Sequence, residues 1–300
     1  MTRSTSVTPT VGAMRAVLAL GAVLVLTIAS DLFMFHAHTD RWFAWHVESP
    51  VTAPFLGSFY ATACLLAVAS YRRRRWAEAR VGIPGVFVFV CLTLWVTVVH
   101  LDRLQFRSPG LAPLVSYAWV VVYAVDPLLI LGAWLLQRTA AGSEPPRRAP
   151  VPGWYRWALV ALACEMLSGG ILLVGWPTVA LSAWPWPASA LDLGAIGAWV
   201  VGLAIVVGQA AWESSWERIE VAVTSATLLG VLHLLVLWQF RATLADNISS
   251  RALIATALSV LLIGAYGVVA ARRAAHTAVP VGTPHSGRGS SFDMICAAER

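Results

Sequence analysis

The chain has 300 residues, of which 58% are hydrophobic and 12% charged, and its mean hydropathy is +0.72. A water-soluble domain carries about 25% charged residues, so the composition excludes the polar coat of a soluble globule. The net charge of +6 reports topology in such a chain; the bilayer, not nucleic acid, is the expected partner.

Eight apolar stretches follow one another: Met14–Phe35, Pro54–Tyr71, Val81–His100, Val115–Leu136, Trp157–Val174, Leu191–Ala211, Val221–Phe240 and Ala252–Ala271. Each is about the ~20 residues that a helix needs to cross a bilayer. Backbone polar groups in lipid must be satisfied within the segment, so each stretch is expected to be a helix. The fold class is therefore an all-α integral membrane protein with eight transmembrane helices. The first stretch is too long for a signal-peptide core and lacks a clear small-residue cleavage site, and it reads as a retained helix. Residues 1–13 and 274–300 read as disordered tails. Residues 14–138 and 154–273 form two four-helix halves, joined by a Pro/Arg-rich linker at 139–153.

The loops set the expected orientation. Between the second and third stretches, Arg72, Arg73, Arg74, Arg75 and Arg80 crowd two membrane ends, which places this loop in the cytoplasm. Arg138, Arg147, Arg148 and Arg156 in the linker agree, as do Arg3, Arg15, Arg272 and Arg273. The loop from Trp176 to Ala190 has no basic residue. Both termini are therefore expected on the cytoplasmic side. Most of the fifteen tryptophans lie at helix ends, where they read as interfacial anchors.

The two halves share marks in the same order. Ala44-Trp45 with Pro50 and Pro54 matches Ala183-Trp184 with Pro185 and Pro187. Leu56-Gly57 matches Leu193-Gly194, and Trp76 with Glu78 and Arg80 matches Trp216 with Glu217 and Arg218. His100 with Gln105-Phe106 matches His233 with Gln239-Phe240, and Gly132-Ala133-Trp134 matches Gly264-Ala265-Tyr266. The expectation is a 4+4 repeat. Four helices per half leave the halves parallel, about an axis along the membrane normal.

The same residues carry a resemblance. Phe43-Ala44-Trp45, Pro50, Thr52-Ala53, Leu56-Gly57 and Tyr60, then His100-Leu101-Asp102-Arg103 and Phe106, resemble a family of uncharacterised bacterial multi-pass membrane proteins. Trp184-Pro185-Trp186-Pro187 before Leu193-Gly194 and Trp199 is similar to that family's later motif, and the match departs at Gln105. The resemblance implies topology and brings no activity. The lysine-free, Ala/Val/Arg/Trp-rich composition resembles that of a high-GC bacterium, and localisation in the bacterial inner membrane is expected.

Ionisable groups at bilayer depth are functional candidates. Asp126, followed by Pro127, and Glu165, with Ser168 and Gly169-Gly170 after it, lie near the middle of the fourth and fifth stretches. They suit a proton- or cation-linked site, or a carboxyl bonded to a neighbouring hydroxyl for fold specificity. A second group, Asp31, Trp45, His100, Asp102, Trp184, Asp192 and His233, falls toward the outer face as a candidate polar pocket. His100 and His233 are the candidate metal or haem ligands. Cys64, Cys91, Cys164 and Cys296 form no C-x-x-C pair. No Walker sequence or Gly-x-Ser-x-Gly elbow occurs, so neither an ATP-driven pump nor an enzyme is indicated.

Three functions stay open. The first is small-molecule or ion transport through a pocket between the halves, which requires a cavity reaching both carboxyls. The second is a haem- or metal-binding redox subunit, which requires its histidines around a common centre. The third is a non-catalytic assembly or sensing partner.

Overall fold

A computed structural model describes residues 6–277 of the chain. It is a multi-pass helical membrane protein. Its eight long apolar helices are α1 Gly12–Met34, α2 Thr52–Arg72, α3 Trp76–Val99, α4 Ala112–Arg138, α5 Gly153–Gly175, α6 Ala190–Glu213, α7 Trp216–Gln239 and α8 Ile248–Thr277. Among the described residues there is no β-strand, only isolated bridges in the loops. Residues 1–5 and 278–300, which include most of the expected C-terminal tail and Cys296, lie outside the described residues.

Helix ends overrun the apolar stretches where local chemistry permits. α2 starts at Thr52, so Pro54 sits in the first turn, where its missing N–H has no intrahelical partner to lose. α8 carries Arg272 and Arg273 on its final turns. α3 opens with a short α turn and a 3-10 turn before Ile83–Val99, with Pro84 in the first turn of that main part. α6 and α7 are joined through Ser214, whose positive φ of 48° makes the reversal.

Four helices form the inside of the bundle and four the outside. Within its apolar window α6 is 72% buried against protein, whereas α1 is 17% buried. α2, α3, α6 and α7 make the inner set; α1 and α4 flank one side, α5 and α8 the other. α1 packs on α2, α5 on α6 and α8 on α7, and the halves meet where α3 crosses α6 and α2 crosses α7. Lipid tails are as apolar as leucine, so close van der Waals approach replaces the hydrophobic effect in holding such helices together. Gly85 allows that approach: a Cβ there would collide with the carbonyl oxygen of Gly202. Gly230 does the same for α7 and α8, because a Cβ at that position would stand 2.7 Å from the Leu261 backbone.

The arginine-rich end is closed by two runs of irregular chain. Residues before α1 run beside the linker and the α2–α3 turn: Thr8 N–H donates to Ser143 (3.2 Å), Thr10 N–H to Arg74 (2.8 Å) and Trp76 N–H to Thr8 (3.1 Å). Gln137 at the end of α4 accepts from Val11 N–H (2.9 Å) and donates to the Pro9 carbonyl (2.8 Å). Beneath this strap lies an ionic cluster. Glu213, fully buried, is held by Arg80 (2.6 Å) and Arg218 (3.0 Å). Glu144 of the linker pairs with both arginines, at 2.6 and 2.5 Å. The cluster ties α3, α6 and α7 to the linker. The Arg80 hydrogen bond holds the Glu144 carboxyl below the usual carboxylate range.

Candidate functional site

A cavity of about 360 Å³ lies in the second half, toward the end of the bundle opposite the arginines. Its origin is the splay of α5 from α8. Near the arginine-rich end these helices touch: the Tyr155 hydroxyl donates to the Ile263 carbonyl (2.7 Å), and Trp154 lies against Tyr266 at 4.9 Å between ring centroids. Further along, the facing residues are small, among them Gly169, Ala252 and Ala257, and they leave the gap unfilled. Glu165, Ser168 and Gly169 on α5 and Ala252 on α8 are exposed at this gap. The cavity therefore opens sideways between the two helices.

The back wall is aromatic. His233 on α7 is 8% exposed. Its ring lies flat on Phe55 (4.1 Å between centroids, 7° between planes) and edge-on to Phe59 (4.6 Å, 86°). Both phenylalanines come from α2, so the first half supplies part of the wall. His233 Nε2 has no hydrogen-bond partner, and neither does Nε1 of Trp184 at the mouth. A buried polar atom left unpaired costs roughly 1–3 kcal/mol, so both atoms would gain from a partner in the cavity. At the crotch of the splay, Thr256 Oγ1 donates to Glu165 Oε1 (2.5 Å), which links α8 to α5. Among the described residues no cation lies within salt-bridge distance of Glu165.

Two smaller cavities continue from this one. A central space of about 50 Å³ shares Met166, Leu229 and Val260 with it. A further space of about 90 Å³, among α1 to α4, shares Leu66, Phe89 and Trp199 with the central one and has Asp126 on its wall. The three form a diagonal row, from the outer part of the second half to the arginine-side part of the first. Glu165 is on the wall of the first space and Asp126 on the wall of the third. None of these three spaces reaches both carboxyls, and the large one is lined mainly by the second half, with Phe55 and Phe59 added from the first.

No protein-family model, curated protein or solved structure matches the chain. The site rests on its own geometry.

The expected outer-face pocket separates into unlike environments. Trp184 and His233 line the large cavity. Trp45 is buried and donates through Nε1 to Asp192 Oδ1 (2.9 Å). Asp192 also forms a capping box with Ser189 at the start of α6, so its oxygens are taken by structure. The His100 ring lies 3.0 Å from the Val96 carbonyl through Nδ1. Asp102 is exposed and faces Arg103 at 3.4 Å, and Asp31 is partly buried on α1. Among the described residues no group of three His, Cys, Asp or Glu side chains is placed to hold a metal ion. His100 and His233 do not share a cavity.

Three residues of the site gave no sequence signal. Thr256 sits inside Ala-Thr-Ala, where a hydroxyl in an apolar run looks neutral. Phe55 and Phe59 read as ordinary lipid-compatible residues, and only the crossing of α2 and α7 brings them to His233. Gln105, the departure from the family pattern, clamps the first loop by donating through Nε2 to the carbonyls of Thr39 (3.0 Å) and Phe43 (3.1 Å).

Proposed function

We propose that this chain is a bacterial inner-membrane protein that takes up a small, largely apolar molecule through the gap between α5 and α8 and moves it toward the cytoplasm. The observation that carries this reading is the cavity of about 360 Å³ with two unpaired polar atoms and a carboxyl on a mostly apolar wall. Ligand sites are concave and mostly apolar, some 300–1,000 Å³, with few placed polar groups. The diagonal row of spaces supports movement beyond binding, with Met166, Leu229 and Val260 as the first barrier and Phe89 and Trp199 as the second.

The proposed orientation has the arginine-rich end and both termini in the cytoplasm, by the charge of the loops. A duplicated 4+4 ancestry is part of the same proposal. It is supported by matching adjacencies: α1 on α2 as α5 on α6, α3 beside α4 as α7 beside α8, and α2 on α7 as α6 on α3. The two entry loops also reach across in return, with Trp45 bonded to Asp192 and Trp186 donating to Thr52 Oγ1 at 2.8 Å. Membership of the uncharacterised bacterial family is proposed on the motifs alone.

The test is native mass spectrometry of the protein released from its own membranes. A bound small molecule is expected, and Gly169→Trp should remove it. An added side chain at Gly169 meets no atom within 4 Å and has the cavity to enter. An empty wild-type protein, together with proteoliposomes in which Gly169→Trp and wild type behave alike toward a panel of apolar solutes, would refute the reading.

A further inference from the structure

We infer that the guest of the large cavity is an organic cation, an ammonium group on an apolar body, with its charge at Glu165. This rests on the binding reading above and names its substrate class.

The molecule treats its carboxylates in two ways. At the arginine-rich end each carboxylate of the cluster has a guanidinium within 3.0 Å: Glu213 has Arg80 and Arg218, and Glu144 has the same two. Glu165, near the middle of α5, has none among the described residues; its one side-chain partner is the Thr256 hydroxyl. The cavity wall holds no arginine or lysine, and Glu165 is its lone acid. An anionic guest would meet that carboxylate with nothing on the wall to offset the repulsion. A neutral guest would leave it without a counter-charge in a medium that penalises a bare ion. A cation supplies the charge that the wall lacks and forms a charge-assisted hydrogen bond, the stronger kind.

The surroundings suit the rest of such a molecule. Thr256 fixes the carboxyl from α8, so the acid faces the gap through which a guest enters. Phe55, Phe59 and Leu172 offer an apolar wall for its body, with aromatic faces that attract a cation. Nε2 of His233, a residue only 8% exposed, and Nε1 of Trp184 lack partners on the same wall and are free to serve a guest.

The experiment uses the full chain in nanodiscs of a galactolipid, whose headgroup carries no ammonium, and three probes of equal chain: decylamine, decanol and decanoate, at neutral pH. Saturable binding is measured above that of nanodiscs carrying Gly169→Trp, which corrects for partition into lipid. Decylamine is expected to bind at least about tenfold more tightly than decanol, with no saturable binding of decanoate. Glu165→Gln should abolish that preference, Thr256→Val should reduce it, and Asp102→Asn, outside the cavity, should leave it intact. Equal binding of decylamine and decanol, both lost in Gly169→Trp, would overturn the cation assignment and leave the chamber in place. No saturable binding of any probe would remove both. Phosphatidylethanolamine is then added to the nanodiscs. If it competes with decylamine, the ammonium is that of a lipid headgroup; if it does not, the cation is a free amine. Either result supports the charge assignment.

Discussion

The outer parts of the two halves differ in what fills them. In the first half the entry loop folds inward. Phe43, Ala44 and Trp45 are buried, and Trp45 packs edge-on to Trp119 at 5.0 Å. Its indoles and tyrosines find partners: Trp45 with Asp192, Trp119 Nε1 with Thr97 Oγ1 (3.1 Å), and the Tyr60 and Tyr123 hydroxyls with each other (2.8 Å), while Ser116 donates to the Ala44 carbonyl (2.8 Å). In the second half the entry loop stops short. Trp186 reaches Thr52, Trp184 stays at the mouth with its N–H unpaired, and the space behind it remains open. One half is a plugged scaffold and the other an unfilled chamber. The difference lies in the seating of the two loops and in the splay of α5 from α8.

The largest expected effect breaks the plug. Trp119→Ala removes a buried indole that no neighbour replaces and should cost about 3–5 kcal/mol, read as a fall in thermal unfolding temperature in detergent. A cost near zero would mean that the first half is not filled as described. The sharper contrast sets two indole N–H groups against each other. Trp45→Phe leaves Asp192 Oδ1 without its indole donor and should cost about 1–3 kcal/mol. Trp184→Phe removes an N–H with no partner and should change the stability of the empty protein by less than about 0.5 kcal/mol. Equal losses in the same assay would erase the distinction between scaffold and chamber.

His233→Leu extends that contrast to the chamber wall. Because Nε2 has no partner to lose, the change should alter the stability of the empty protein by less than about 1 kcal/mol, while guest binding weakens. A destabilised variant with intact binding would make His233 part of the scaffold.

The smallest effect concerns the linker, at the closed end of the molecule. Glu144 bonds Arg80 and Arg218, and the carbonyl of the next residue, Pro145, accepts from Arg218 at 2.5 Å. The Arg80 hydrogen bond lowers the folded-state pKa of the Glu144 carboxyl below its ordinary value of 4.5. A depressed carboxylate stabilises the fold above the ordinary value, and that contribution is lost as pH falls through the lowered folded value. The difference in melting temperature between wild type and Glu144→Gln should therefore shrink as the pH is taken below about 4.5. A difference that persists unchanged in acid would show that the carboxylate charge plays no part in closing the arginine-rich end.

Much of the architecture was legible in the chain. Each span must satisfy its own backbone in lipid, so each announces itself as a continuous apolar run; the structure contains those eight helices with ends shifted by a few residues. Asp126 and Glu165 stood out because a carboxyl is rare in such a run. Their surroundings did not, since a cavity is an absence of atoms and no residue type encodes it. Asp192 and Trp45 looked like site residues and turned out to bond each other, because the polar side chains of a helix start and an entry loop serve a cap and a cross-bridge equally well.

The sequence by itself determined that the chain crosses a membrane eight times, which loops carry the positive charge, and which few polar groups lie at depth. These are properties of single segments, set by the transfer of each segment from water into lipid. Tertiary structure alone decided that α5 and α8 splay, that Thr256 meets Glu165, that Phe55 lies beneath His233, and that one entry loop fills its half while the other leaves a chamber. Those outcomes depend on which helix faces lie against each other, and packing between apolar helices in lipid is chosen by shape, which hydropathy along the chain does not record.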